Sequence, residues 1–441
     1  MLCQDHYERA QTFLPGGVTA TARGNRALGR PLYVKGGDGA TLCDLDGVNY
    51  VDMCMSHGAS LLGHNHAAIK RAVQSALDIG IVCAAETVHN AGLAQQIAAM
   101  VPCAEMARFA GSGSETIMHG LRLARAATGR SKIMKFEGHF HGYSDMLNFS
   151  VAPPLDKAGP AEQPTPYPES AGIPPQTAQH LVVLPFNDFE RLEAAFARDG
   201  RQAAVLFMEP INYDSGCIIP APGFVARCRE LCDAYGVLLF FDEVLTAFRM
   251  GTSCAQGYLG VIPDLCVLGK ALGGGMPISA LVGKRDVMLT LRPVGDSEMS
   301  GTYLAHPTAV LAARAALNEY SQAGFYDRLN ARGESFYRSL QGLIDKSGVP
   351  VRVQHVGPRF GIYFGIEAPV MNYRDAARQD RAMLLTFLRG CIQRGAYFAV
   401  SPHHGFSAAH SESDLGKVLE AMNGALTDVK HAHLSKGASH A

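Results

Sequence analysis

The sequence predicts an α/β fold built on a largely parallel sheet, and three apolar runs carry the prediction. "AAVLFMEP" (203–210), "GVLLFFDEV" (236–244) and "PDLCVLGK" (263–270) each end at a polar or charged group. Between the first two, "GFVARCRELCDAYG" has helical periodicity and closes on a glycine. Strand–helix–strand order needs a crossover, which makes neighbouring strands parallel and covers the sheet with helices. In such sheets ligands bind at the carboxyl ends of the strands. Glu209, Asp242 and Lys270 all fall at those ends.

A chain of 441 residues is too long for one small core, so two domains, or a large and a small one, are expected. Lys and Arg number 39 against 40 Asp and Glu, which leaves no electrostatic footprint for nucleic acid or an acidic membrane surface. The opening stretch, "MLCQDHYERAQTFLPGG", mixes charges with apolar residues and has no signal-peptide core, and no apolar run reaches spanning length. The eleven cysteines are scattered without a CxxC pair, an odd and dispersed set that favours a reducing compartment. The cytoplasm is therefore expected. Cys228 and Cys232, one helical turn apart, read as small core hydrophobes.

Taken in order, the first element with chemistry is "FAGSGSETIMHGLRLARAATG", from 109. Gly111, Ser112, Gly113 and Ser114 run straight into a helical pattern. A glycine-opened turn at a helix N-terminus binds phosphate well; a plain Ser N-cap with Glu115 in the first turn accounts for the same residues. "KFEGHFHGYSD" (135–145) places Phe140 between two histidines, where an aromatic can stack on a flat heterocycle. His139 and His141 lack a third ligand at a recognisable spacing, so no metal is expected. Segment 153–175 holds eight of the 23 prolines and reads as an irregular loop, either a lid or an inert excursion. "RLEAAFARDG" (191–200) and "HSESDLGKVLEAMNGAL" (410–426) read as amphipathic helices.

Two charges remain. Asp242 closes "LLFFD", where a carboxylate is costly without a cationic partner. A protonated pyridine nitrogen is such a partner, and the carboxylate keeps that ring an electron sink. Lys270 in "VLGKALGGGMPISA" is followed by Gly273, Gly274 and Gly275. A lysine at a strand-to-loop edge is commonly a surface residue, but a desolvated one can act as an amine nucleophile. Phosphate turn, aromatic, acid and lysine together describe a pyridoxal-phosphate site.

On these residues the chain resembles the class III pyridoxal-phosphate aminotransferases, in the branch of glutamate-1-semialdehyde aminomutase that also holds D-phenylglycine, β-phenylalanine and fumonisin aminotransferases. The likeness runs from "PGGVTATAR" (15–23) to "GFSAAHSESDL" (405–415), and is strongest in "SGSE", "FEGHFHG", "FFDEVLTAFR", "LGKALGGGMPISA" and "GTYLAHP". It implies the aspartate-aminotransferase-like fold (fold type I), with a mainly parallel seven-stranded sheet in a large cofactor-binding domain over 61–310. A smaller α/β domain over 311–441 is joined by the 1–60 segment. It also implies roles. Ser112, Gly113 and Ser114 match the phosphate turn, and Phe140 stands where the family usually has a stacking tyrosine. Asp242 matches the pyridine partner, Val244 the residue on the ring's other face, Lys270 the Schiff-base lysine and Glu209 a glutamate near the cofactor. Thr302 matches a threonine that reaches the phosphate of a neighbouring subunit, which implies a homodimer with shared active sites.

On the substrate side, Arg23 falls where the branch has an arginine for a carboxylate, whose fork it suits. His57 in "MSHGAS" falls where the branch lines the substrate pocket, or is a structural histidine. Three departures put mutase activity in doubt: His306 replaces the common asparagine of "GTxxxNP", "SPHHGF" brings His403 and His404 where the mutase has an acidic residue, and the proline-rich segment is long. His403 and His404 serve a polar or anionic substrate or cap a loop. The expected activity is transfer of an amino group between a carboxylate-bearing donor and a keto or aldehyde acceptor. An aminomutase, and a decarboxylase or racemase on the same cofactor, are the alternatives.

Overall fold

The computed structural model describes residues 2–82 and 84–438. The chain forms two compact units. The larger comprises Ala67–Ala323 with a short return segment, Val370–Ala377. The smaller takes the chain up to His66, Gly324–Pro369 and the chain from Arg378 onward.

Seven strands form the sheet of the larger unit: β1 (Met106–Ala110), β2 (Lys132–Phe136), β3 (Leu181–Leu184), β4 (Ala203–Met208), β5 (Leu238–Glu243), β6 (Leu265–Leu268) and β7 (Ser279–Gly283). Their order is β1-β7-β6-β5-β4-β2-β3. β7 runs antiparallel to both neighbours, and every other pairing is parallel. Every residue of β4 is buried, because helices cover both faces of a parallel sheet, and this is why "AAVLFM" shows no alternation. Helix α1 (Gly113–Thr128) packs on the sheet; a methyl group on Gly120 would come within 2.5 Å of the Phe240 ring.

Helix α2 (Phe189–Asp199) starts two residues before the predicted segment, because Asp188 caps it by accepting from Arg191 N at 3.0 Å. Such a cap is worth about 1 kcal/mol. Helix α3 (Phe224–Tyr235) buries Cys228 and Cys232 completely, and burial pushes both thiols up, as suits core residues.

The proline-rich stretch is irregular and firmly tied down. Val151 N and Ala152 N donate to Glu169 Oε1 at 2.7 and 2.9 Å. Tyr373 in the return segment donates its hydroxyl to Pro153 O at 2.7 Å. Arg374 pairs bidentately with the buried carboxylate of Glu137 at 2.8 and 3.0 Å, and bonds the carbonyls of Ala158, Gly159 and Pro160.

The smaller unit holds a four-stranded sheet (Val34–Asp38, Thr41–Asp44, Asn49–Asp52, Ala396–Tyr397) and a three-stranded one (Val351–Val356, Arg359–Phe364, His403–Gly405). Its last helix, Glu412–Ala438, begins where Ser411 Oγ accepts from Asp414 N at 3.1 Å. Among the described residues no helix is long and apolar enough to cross a membrane.

Candidate active site

A pocket of about 270 Å³ in the larger unit is lined by every predicted cofactor-side residue except Thr302. Strand register explains the gathering. Met208 pairs with Phe241, so Glu209 leaves β4 beside Asp242. Glu243 pairs with Leu268, so Lys270 emerges two residues beyond the end of β6.

The α1 N-terminus forms one wall. Ser112 Oγ accepts from Glu115 N at 3.3 Å, and Glu115 reaches back to Gly111 N at 2.9 Å. The first-turn N–H groups of Gly113 and Ser114 have no intrahelical acceptor, so they are available to an anion. The Ser-cap and anion-site readings are thus compatible. Gly113 is needed for a second reason: a methyl group there would come within 2.8 Å of Val244 Cγ2.

Asp242 is 4% exposed. Its Oδ2 takes a hydrogen bond from His141 Nδ1 at 2.9 Å and its Oδ1 one from Val244 N at 3.1 Å. Burial lowers the His141 pKa, with the Asp242 bond and charge acting upward, so the ring is neutral and the carboxylate selects its Nδ1–H form. His139 accepts from Glu209 N at Nδ1, 3.1 Å away. Both histidines are fully buried and Phe140 is half-buried on the pocket wall. "HFH" thus buries its two histidines and leaves the ring between them on the pocket wall, a sequence signal for His141 as a buried partner and not a metal ligand. Gly138, at φ +82°, starts this turn; its carbonyl accepts from Asn212 Nδ2 and Ser215 Oγ at 3.0 and 2.8 Å.

Glu209 is driven well above the usual carboxylate range by burial, with Asp214 and Asp242 adding to it. Asp214 also lines the pocket, a residue the sequence reading passed over; burial raises it to about 6 while Lys270 pulls the other way. Lys270 itself stands at φ +44°, a left-handed conformation costly for a residue with a side chain.

A model of the family "Aminotransferase class-III" matches residues 22–389. The chain belongs to the class-III aminotransferases. It is 39% identical over 419 residues to glutamate-1-semialdehyde 2,1-aminomutase of Nitrosospira multiformis, covering 94% of this chain and 97% of that protein. Its structure is similar to an omega-transaminase from Sphaerobacter thermophilus, with a TM-score of 0.92 and 31% identity over 97% of this chain and 98% of the other. It is also similar to a transaminase with PLP bound, with a TM-score of 0.88 and 27% identity over 97% and 98%. This class-III aminotransferase is a fold type I, pyridoxal-phosphate-dependent enzyme.

The pocket of this aminotransferase fits that cofactor. The α1 terminus offers N–H donors to a phosphate, Gly113 lets Val244 close against that turn, and Asp242 brings a buried carboxylate held by His141. When bound, pyridoxal phosphate supplies an electron sink for bonds broken at the amine-bearing carbon.

Other predicted residues lie elsewhere. Thr302 is exposed and lines a separate groove of about 560 Å³ with Arg108, Phe109 and Met299. His306 bonds Thr308 Oγ1 through Nδ1 at 2.8 Å. Arg23, His57, His403 and His404 all belong to the smaller unit. Arg23 is exposed on a single 3-10 turn, its guanidinium donating to Thr19 Oγ1. His57 follows Met55 and Ser56 in a run of three non-glycine residues with φ near +50°. Its ring centroid is 6.4 Å from that of His403. His403 and His404 are buried on the strand paired with Arg359–Phe364, and the Arg359 guanidinium bonds the His403 ring. Burial, then Arg359 and His57, push His404 down to about 3, so it is neutral at pH 7.

Proposed function

We propose that the protein is a transaminase whose Lys270 carries the cofactor and which moves an amino group from a carboxylate-bearing donor to a keto or aldehyde acceptor. The observation that carries this reading is the shared pocket: Lys270, Asp242 and the α1 N-terminus converge on one cavity. Ser112, Gly113 and Ser114 hold the phosphate. Asp242, held by His141, keeps a pyridine nitrogen protonated. Phe140 and Val244 bound a flat ring. Glu209 supports the same wall. Lys270, once its nitrogen is released, takes and returns a proton at the substrate carbon. Arg23 reads the substrate carboxylate, and His57, His403 and His404 shape the substrate side.

A homodimer with shared sites is part of the proposal. Its support is the placement of Thr302 outside its own chain's pocket, next in the chain to Tyr303, which is 72% exposed. Free thiols at all ten described cysteines support a reducing compartment, the cytoplasm.

The aminomutase relative favours a second reading, transfer within one molecule. A panel of α-, β- and ω-amino acids and amino sugars, read as conversion of the cofactor to its amine form, separates the two. A transaminase converts with a donor and is regenerated by a keto acid. A mutase turns over only from the amine form and needs no keto acid.

A further inference from the structure

We propose that Asp214 controls the proton on the Lys270 nitrogen: its carboxylate stabilises the protonated nitrogen, and withdraws that support when it takes up a proton itself. The inference rests on the reading of Lys270 as the cofactor lysine and adds a positioning residue to it.

Three carboxylates share the pocket with Lys270, and their surroundings separate them. Asp242 has both oxygens engaged, by His141 and by Val244 N. Glu209 is 5% exposed, is driven well above the usual carboxylate range by burial, and has its Oε2 engaged by Asp214 N. Asp214 is half-buried, and its carboxylate accepts no hydrogen bond from any described residue.

The turn that presents Asp214 is rigid. Asp214 N donates to Glu209 Oε2 at 3.3 Å, Ser215 N donates to Asn212 Oδ1 at 2.8 Å, and Gly216 N donates to Tyr213 O at 2.9 Å. Asn212 also pairs with Ile218 across a short bridge. A carboxylate fixed by backbone bonds and free at its oxygens serves as a charge, not as a structural tie.

The charged groups facing Asp214 come from several elements. Lys270 and Lys135 favour its ionised form; Asp242, Glu169 and Glu209 oppose it. Lys135 is fully buried on β2, and its ammonium bonds the carbonyls of His139 and Phe149. Of the two cations, Lys270 acts more strongly on Asp214. With Asp214 raised to about 6, the carboxylate is ionised at pH 7 and becomes neutral as pH falls through about 6. Support for the protonated lysine nitrogen is thus present above that value and lost below it.

Two titrations test the proposal. In the holoenzyme, the visible absorbance that reports protonation of the cofactor-bearing nitrogen is followed from about pH 5 to 9. In the cofactor-free full-length chain, Lys270 is trace-labelled with acetic anhydride over the same range and quantified by peptide mass spectrometry. Removing a nearby opposite charge lowers a cation's pKa by about 1 unit or more. Asp214→Asn should therefore move both midpoints down by about that much, and Asp214→Glu should restore most of the shift. Unchanged midpoints in folded Asp214→Asn overturn the proposal; Asp214→Ser is held to the same criterion if the asparagine variant misfolds. Borohydride fixation of the cofactor to a lysine other than Lys270 would overturn the underlying reading instead, while the acetylation titration would still decide the role of Asp214.

Discussion

The larger unit gathers its chemistry at strand ends, whereas the smaller unit gathers histidines and arginines in packed strands and a strained turn. In the first, each group is fixed by something regular: Glu209 and Asp242 by adjacent strands in register, Ser112 by a helix cap, His141 by the carboxylate it serves. In the second, His404 is buried with its ring 5.0 Å from that of Phe398, and His57 sits in a run of left-handed residues. The difference teaches how to weigh a charged residue. A charge placed where a parallel sheet opens has a chemical reason to be there. A histidine inside a small sheet has packing to explain it first.

The sharpest way to break the comparison is Lys270→Ala. Turnover should fall by about three orders of magnitude or more, since no other group replaces a covalent amine. Borohydride treatment and mass spectrometry should find no cofactor fixed to the chain, although the phosphate turn still binds it. Normal turnover would end the proposed function.

Next in size is Asp242→Asn. The variant should fold and retain cofactor, but proton abstraction should slow by about two to three orders of magnitude, because an amide cannot hold a pyridine nitrogen protonated. Near-normal single-turnover rates would reduce Asp242 to a structural residue.

Arg23→Ala probes the other unit. Loss of a charge-assisted contact of about 2–5 kcal/mol lowers kcat/KM by some tens- to thousands-fold, and only for carboxylated substrates. Lysine at this position should recover part of the loss, because it lacks the fork. Equal losses for acids and simple amines would assign Arg23 to the N-terminal fold.

The last effect, read on stability, belongs to His404. Its folded pKa of about 3 lies below the ordinary 6.5, so the unfolded chain binds the proton first as pH falls. Stability is complete above about 6.5 and declines toward 3, by up to roughly 4 kcal/mol from this group. His410, lowered to about 4 mainly by burial, acts in the same direction. Melting temperatures measured across this range should fall on acidification, and His404→Phe, between Phe360 and Phe398, should flatten the decline. An unchanged slope would show that His404 does not contribute.

The parallel sheet was legible because β4, β5 and β6 are apolar runs that stop at a charge. The residues that gather in one pocket, which excludes Thr302, were legible for the same reason, as motifs at or near strand ends. Asp214 was not, because its turn carries no periodicity and its carboxylate matters only once Lys270 stands nearby. His141 was half-legible: the alternation in "HFH" was visible, but its partner lies 101 residues away. The burial of His403 and His404 was hidden because three residues are too short to show a strand pattern. The early start of α2 needed only Asp188, a cap signal present in the sequence.

The return segment Val370–Ala377 has a consequence for biosynthesis. Glu137 is 3% exposed and its carboxylate is paired by Arg374, which the ribosome adds more than two hundred residues later. Burying Glu137 without that cation would cost roughly 3–5 kcal/mol. The larger unit therefore does not reach its final packing from Ala67–Ala323 alone. The packing around the proline-rich stretch waits on Tyr373 and Arg374, which stand more than two hundred residues further along the chain than Glu137.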